Sequence, residues 1–208
     1  PDKLTKKKVN LYQYNTKNCM TRISIDIPKS KNAERLITRQ WLINKLLDYL
    51  LPLMIVGMFL FITIMEFKSD FKNNQSIALS LTLLILTTTI AVLVIYTLLN
   101  IYKLKRIKGL SRGQNSDIIK KIAEKYKWNI SANNQQISTL NISWENSGGL
   151  DWGKQITIIY DKTDILVNCI SFGLHSSPSP FHLLANRNKI NKLKTEFERE
   201  INVLQHGV

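Results

Sequence analysis

Residues 77–102 form the stretch that most constrains the fold of this chain. The run IALSLTLLILTTTIAVLVIYTLLNIY contains no Asp, Glu, Lys or Arg in twenty-six residues. With a rise of about 1.5 Å per residue, such a helix crosses a hydrocarbon core of about 30 Å. A second apolar run, 46–67, precedes it, and a short polar loop, 68–76, separates the two. The sequence therefore predicts a membrane α-helical hairpin made of two transmembrane helices.

The positive charge is concentrated beside the two apolar runs. The net charge is +7 for 1–48, 0 for 66–76, +5 for 103–112 and +2 for 113–208. Because Lys and Arg accumulate on the cytoplasmic side of membrane helices, both termini are predicted to be cytoplasmic and the loop extracytoplasmic. The chain is therefore expected to be a multi-pass protein of the bacterial inner membrane. This distribution favours the lipid bilayer and its anionic head groups as partners, and no nucleic acid is expected despite the total of +14.

Neither apolar run carries an ionisable side chain in its core. Transporters, proton relays and charge-lined pores usually have such a side chain within the membrane. Two such helices make a poor self-contained transporter. Small side chains instead predict a helix-packing face, because they let helices approach closely and hydroxyls can bond across. The alternative is that the hydroxyls bond back to carbonyls of their own helix. The predicted helix-packing face consists of Gly57, Ser80, Thr87, Thr88 and Ala91.

Residues 1–45 are predicted to form a basic cytoplasmic N-terminal segment. Two strand-prone stretches, 9–14 and 20–27, flank a turn-like sequence and allow a hairpin, with an irregular tail as the alternative. Between residues 32 and 48, the apolar residues fall near helical spacing among basic ones. This pattern predicts an interfacial helix that leads into the membrane.

A basic juxtamembrane linker, 103–114, precedes a predicted cytoplasmic α+β domain, 115–208. Ser116 is a suitable helix N-cap, and strands are predicted at 137–144, 155–160 and 165–172. A C-terminal helix is expected from Asn186 or Asn188. The predicted fold is helix, three antiparallel strands, helix, with the helices on one sheet face. The apolar core is modest, so support from the hairpin or from a partner is expected, and whether residues 8–27 pair with this sheet stays open.

The most distinctive part of this domain is the segment 144–161, WENSGGLDWGKQITIIYD. Together with I-x-V-N-x-I at 165–170, two nearby prolines and N-x-N at 186–188, it resembles a domain of small membrane proteins from Bacteroidota-type bacteria. The shared pattern is W-G-x-x-I-T-I-I-x-D, and it covers about residues 115–205. The resemblance implies no assigned activity and transfers no functional residue.

The glycines of this segment run into a strand, whereas a phosphate cradle needs glycines that run into a helix N-terminus. The two tryptophans are expected to cap the sheet edge, and a ligand or partner pocket formed with the glycine loop is the alternative. The candidate ligand or partner loop consists of Trp144, Gly148, Gly149, Trp152, Gly153 and Asn168.

No catalytic constellation is found, because the Asp residues suit turns, the two loop histidines lack a third metal ligand, and no G-x-S-x-G is present. Cys19 and Cys169 lie far apart and are expected to be reduced in the cytoplasm. We therefore expect no catalytic, cofactor-binding or metal-binding residue and no enzymatic activity. The expected role is an accessory or structural subunit of a larger membrane complex, and the expected protein partner is that complex or a second copy of the chain. The alternative is a ligand-regulated two-helix membrane effector of antiphage or toxin type, or an immunity protein against a membrane-acting toxin.

Overall fold

Two long apolar helices and a small domain built on a β-sheet make up the described chain. The computed structural model describes residues 25–39, 42–73, 76–147, 152–173 and 177–206. Most of the predicted hairpin, 9–14 and 20–27, lies outside this part of the chain. Of its second stretch, Ile25 forms a single β-bridge with Thr38, and Ile27 begins the short helix α1 (Ile27–Ala33), so residue 27 is not in a strand.

The two apolar helices are α2 (Leu42–Lys72) and α3 (Ala78–Asn100). They pack side by side around a small cluster of buried residues, Val56, Ala91, Val94 and Leu98. Both are long and apolar enough to cross a membrane. Only 11% of the most apolar window of Leu46–Lys72, and 17% of that of Ala78–Asn100, is buried. They are therefore unlike core helices of a soluble domain, which are mostly buried.

The domain contains a five-stranded antiparallel sheet. Its strands are β1 (Lys105–Ile107), β2 (Asn129–Asn133), β3 (Ile137–Ile142), β4 (Lys154–Asp161) and β5 (Asp164–Ser171). Their order in the sheet is β1-β5-β4-β3-β2. The three predicted strands are confirmed as β3, β4 and β5, although β3 ends at Ile142 and not at residue 144, which begins a short helix. The predicted tight connection between the last two is also confirmed, since Asp161 pairs with Asp164 and Lys162 has a positive φ of 56°.

Three further helices accompany the sheet: α4 (Arg112–Lys125), the short α5 (Trp144–Ser147) and α6 (Leu183–His206), which follows a 3-10 turn at Pro180–His182. One sheet face packs on α4 and α6 through a large apolar core that includes Ile119, Leu140, Ile156, Leu193 and Phe197. This arrangement agrees with the predicted helical cover on one face.

The opposite sheet face is also covered, which the prediction of a one-sided domain did not anticipate. Ile101, Tyr102 and Leu104, which directly follow α3, pack with Leu36 against Leu166 and its neighbours. The residues that leave the apolar hairpin thus form part of the domain's second core. Because both sheet faces are covered, nearly every residue of β4 and β5 is buried, including polar ones.

The predicted interfacial helix across 32–48 is corrected by the structure. Helix α1 ends at Ala33, where Glu34 takes a left-handed conformation with φ 46°. Arg35 then pairs with Lys103, and Leu36 is buried at 4% exposure beneath the sheet. Burial of Leu36 against the sheet stabilises the extended segment more than the local sequence favours a helix. Helix propensity is a weak determinant when tertiary contacts compete.

Two further boundaries differ from the sequence prediction. Helix α4 begins at Arg112 rather than after Ser116, with Ser111 as its N-cap. Asn115 is 1% exposed and fixes this start, since its Oδ1 accepts from Leu110 N at 2.8 Å and its Nδ2 donates to Thr163 O at 2.9 Å. Helix α6 begins at Leu183, a few residues before the predicted start. Strands β1 and β2 were not predicted.

We expect Phe197→Ala to lower the free energy of unfolding by about 3–5 kcal/mol, because the ring is fully buried between α6 and the sheet. Thermal unfolding of the detergent-solubilised full chain, followed by near-UV circular dichroism, measures this loss. Leu204→Ala on the same helix is the control. Leu204 is 57% exposed, so a change within about 0.5 kcal/mol is expected. Equal losses for both variants would contradict the assigned core.

Candidate functional site

The two tryptophans of the candidate ligand or partner loop are exposed. Trp144 begins α5 and is 66% exposed, and Trp152 precedes β4 and is 65% exposed. Gly148 and Gly149 lie outside the described residues. Gly153 has a φ of 118°, which favours glycine, and its carbonyl accepts from Phe172 N at 3.0 Å. Together with the bond from Trp152 N to Phe172 O, this contact extends the pairing beyond β4 and β5.

Asn168, the remaining residue of the predicted loop site, lies elsewhere. Its side chain is 2% exposed, and its Nδ2 donates to the carbonyl oxygens of Ile101 and Lys103, each at 2.9 Å. It therefore ties β5 to the chain that leaves α3. The cavity that Asn168 lines contains neither tryptophan. The structure thus does not bring all members of the predicted loop site into one cavity.

The predicted helix-packing face divides between two environments. Ser80 and Ala91 are buried at 3% and 5% exposure, and Thr87 Oγ1 lies 3.2 Å from Thr63 Oγ1 of the other helix. Gly57 and Thr88 are exposed. Back-bonding occurs as well, since Ser80, Thr87 and Thr88 each donate to a carbonyl of α3 or of the residue preceding it. Thr87 thus combines both interactions that the sequence allows.

A buried polar cluster near the start of α6 was not predicted. Lys154, at 0% exposure, donates from Nζ to Ser171 Oγ at 3.0 Å, and Ser171 Oγ donates to Asn186 Oδ1 at 2.6 Å. Burial lowers the pKa of Lys154. Burial also raises the pKa of the neighbouring Cys169 thiol to about 12. Two features of the sequence could have indicated this cluster, namely a lysine at the start of an apolar strand and the Asn of the N-x-N motif.

The distance between Ser171 and Lys154 suits a serine nucleophile with a lysine base. Both side chains are fully buried, however, and the hydroxyl proton of Ser171 points to Asn186. A substrate would have no access to this hydroxyl. The cluster therefore holds β4, β5 and the start of α6 together.

Arg106 of β1 is the centre of an ionic network. Its guanidinium contacts Asp161 at 2.9 Å, Asp164 at 3.1 Å and Glu34 at 3.1 Å, and Lys31 also approaches Asp161 at 3.9 Å. The hydrogen bonds that the guanidinium donates to Asp161 and Asp164 raise the pKa of Arg106 above its usual range. Two of the aspartates that the sequence assigns to a turn thus also bind a base on the neighbouring strand.

An open cleft of about 500 Å³ adjoins this network and is lined by Ile27, Pro28, Lys31, Asn32, Arg106, Gln136, Asp161 and Lys162. Two of its three bases, Lys31 and Arg106, are paired with carboxylates of the network.

A second cleft, of about 420 Å³, lies where α3 meets the domain. We call it the junction cleft. It is bounded by the last turn of α3, the chain around β1, strand β5 and the first turns of α6. The residues that line the junction cleft are Tyr96, Thr97, Asn100, Ile101, Lys103, Leu104, Lys105, Asn168, Cys169, Leu183, Asn186, Arg187, Ile190 and Asn191.

Within the described residues, no group of three or more His, Cys, Asp or Glu side chains is placed to hold a metal ion. Cys169 is a free, buried thiol. Cys19 lies outside the described part of the chain.

Compared with protein-family models, curated proteins and solved structures, the chain matches none. The resemblance to small Bacteroidota-type membrane proteins therefore stays a prediction.

We expect Asn168→Ala to lower the free energy of unfolding by about 1–3 kcal/mol, because two carbonyl groups lose their donor in a buried position. Thermal unfolding of the full chain in detergent measures the change. Asn188→Ala, at an exposed position of α6, is the matched control and should change stability by no more than about 0.5 kcal/mol. An unchanged midpoint for Asn168→Ala would contradict the anchoring role.

Proposed function

We propose that this protein is an integral protein of the bacterial inner membrane that is spanned by α2 and α3. The observation that carries the proposal is the outward apolar surface of both helices. Large side chains such as Met54, Phe61, Leu79 and Leu99 are 62–71% exposed in this hairpin, and comparable residues lie around its whole circumference. A lipid environment accommodates such a surface, whereas water does not.

The lengths and charges support the same proposal. A 23-residue helix such as α3 is about 35 Å long, which exceeds the hydrocarbon thickness of about 30 Å. Basic residues flank the hairpin on the side of the domain, and the short loop between the helices has no net charge. The domain and both termini are therefore assigned to the cytoplasm.

Within the membrane, we propose a non-enzymatic role as an accessory or structural subunit of a larger membrane complex. The hairpin buries little of its own surface, so most of its outward face is free to contact lipid or another membrane protein. Gly57 is an exposed position where a side-chain atom would meet nothing within 4 Å. Such an open small residue permits close approach of a helix from a partner.

A ligand-regulated membrane effector is the second candidate, favoured by the two exposed tryptophans. An exposed aromatic pair beside a glycine-containing segment is a suitable surface for a ligand or partner. The contact of α3 with the sheet would pass a change in the domain to the membrane helix. If the protein is instead an immunity protein against a membrane-acting toxin, the partner at these surfaces is the toxin.

The proposed orientation predicts where single cysteines react with a membrane-impermeant reagent. In a Cys19→Ser/Cys169→Ala background, Asn73→Cys should be labelled in intact cells, because it follows α2 at the extracytoplasmic loop. Gln114→Cys in α4 should be labelled only after permeabilisation. Both positions are exposed, so accessibility depends on the side of the membrane alone. Labelling of Gln114→Cys in intact cells would reverse the orientation.

The subunit and effector roles predict different complexes after extraction in mild detergent. A subunit should migrate with unrelated membrane proteins, and Gly57→Leu should weaken this association because it adds bulk to an open outward position. Its overexpression should leave the membrane potential unchanged. Cross-linking with mass spectrometry, together with a potential-sensitive dye, measures both properties.

Ala91→Leu is the control that separates loss of a partner from damage to the hairpin. Ala91 lies between α2 and α3, so a larger side chain there should disturb the hairpin itself. A complex made only of copies of this chain, together with depolarisation that Trp152→Ala abolishes, would replace the subunit role with the effector role. Migration as a single copy would contradict both.

A further inference from the structure

The junction cleft combines basic side chains with neutral polar ones. Lys103, Lys105 and Arg187 contribute positive charge, and four asparagines line the same space. None of the residues given above as its lining is acidic. The cleft therefore has the composition of a site for an anion.

Two of these bases are held by neutral hydrogen-bond partners. Lys105 Nζ donates to Asn191 Oδ1 at 2.9 Å, and Arg187 donates to the hydroxyl of Tyr96 at 2.8 Å. Both partners are neutral. Elsewhere, bases such as Arg106 and Lys125 are held by carboxylates. Neutral partners fix the direction of a base while its charge stays available for an anion.

The position of the cleft indicates which anion is nearby. Its wall includes Tyr96 and Asn100 on the last turns of α3, where an apolar helix of this length ends at the level of the lipid head groups. Beside it, Phe181 in the 3-10 turn and Leu184 at the start of α6 are 63% and 75% exposed. Exposed apolar side chains next to a basic cleft are typical of surfaces that lie in a membrane interface.

We propose that the junction cleft binds the phosphate-bearing head group of an anionic phospholipid from the cytoplasmic leaflet. This inference rests on the proposed membrane insertion. Lys103, Lys105 and Arg187 contact the phosphate, and the acyl chains run along α3 beside Phe181 and Leu184. A volume of about 420 Å³ falls within the usual range for small-ligand sites. A bound lipid would join the membrane helix, β1 and α6.

The test uses the full chain purified in mild detergent and exposed to equimolar phosphatidylglycerol and phosphatidylcholine with identical acyl chains. Lipid mass spectrometry after gel filtration measures how much of each lipid stays bound. The wild-type chain should retain phosphatidylglycerol preferentially. Lys103→Gln/Arg187→Gln should reduce this retention about 10- to 30-fold, because each base near the surface contributes about fivefold.

Lys108→Gln/Lys127→Gln is the charge-matched control, because both lysines are exposed and lie outside the cleft lining. It should reduce retention by about twofold at most, since screening weakens distant charges. Lys105→Gln removes one cleft charge at an exposed side chain and serves as the second variant if the double variant unfolds. Inorganic phosphate and glycerol phosphate are added separately as soluble competitors, and each should displace little lipid.

Equal losses in the cleft and control variants would overturn the proposal, as would equal retention of both lipids. Displacement of the lipid by soluble phosphate at equal concentration would assign the cleft to a soluble phosphate compound instead. Extraction of membranes at alkaline pH separates this inference from the proposed function. Release of the protein into the supernatant contradicts membrane insertion, whereas a protein that stays in the pellet without lipid preference contradicts only the head-group site.

Discussion

The packing of the chain beneath the sheet directly after α3 is the interaction on which the rest of the structure depends. Ile101, Tyr102 and Leu104 enter the second apolar core, and Leu36 N donates to Tyr102 O at 2.8 Å. Asn168 binds two carbonyls of the same stretch from within β5. There is therefore no flexible tether between α3 and β1. The direction of the long helix and the position of the sheet are determined together.

The ionic network at Arg106 reinforces this junction from the adjoining edge strand β1. It connects the end of α1, strand β1 and the turn between β4 and β5. Exposed ion pairs contribute only about 0–1 kcal/mol each, so the network adds modest stability. Its larger effect is positional, because three carboxylates around one guanidinium fix how the segment 25–39 lies against the sheet.

The buried cluster of Lys154, Ser171 and Asn186 links two surfaces that the sequence treats separately. Lys154 follows Gly153 at the strand entrance that carries Trp152, and Asn186 lines the junction cleft. Hydrogen bonds through Ser171 connect them. Under the proposed membrane insertion, a partner at Trp152 and a head group at the cleft would therefore act on the same buried contacts.

Local patterns in the sequence determined the two apolar helices, the three central strands and the apolar stripe of α6, because run length and periodicity act over a few neighbouring residues. Tertiary contacts decided the rest. The sequence KRI of β1 has no strand pattern and pairs only because β5 offers an open edge. Residues 34–39 leave the helical state because the sheet buries Leu36. Asn168 and Lys154 are ordinary polar residues in the sequence, and their roles arise from groups that are distant along the chain, such as the carbonyl of Ile101. No local pattern encodes such a contact, since its free energy depends on burial that exists only once the sheet and α3 have come together.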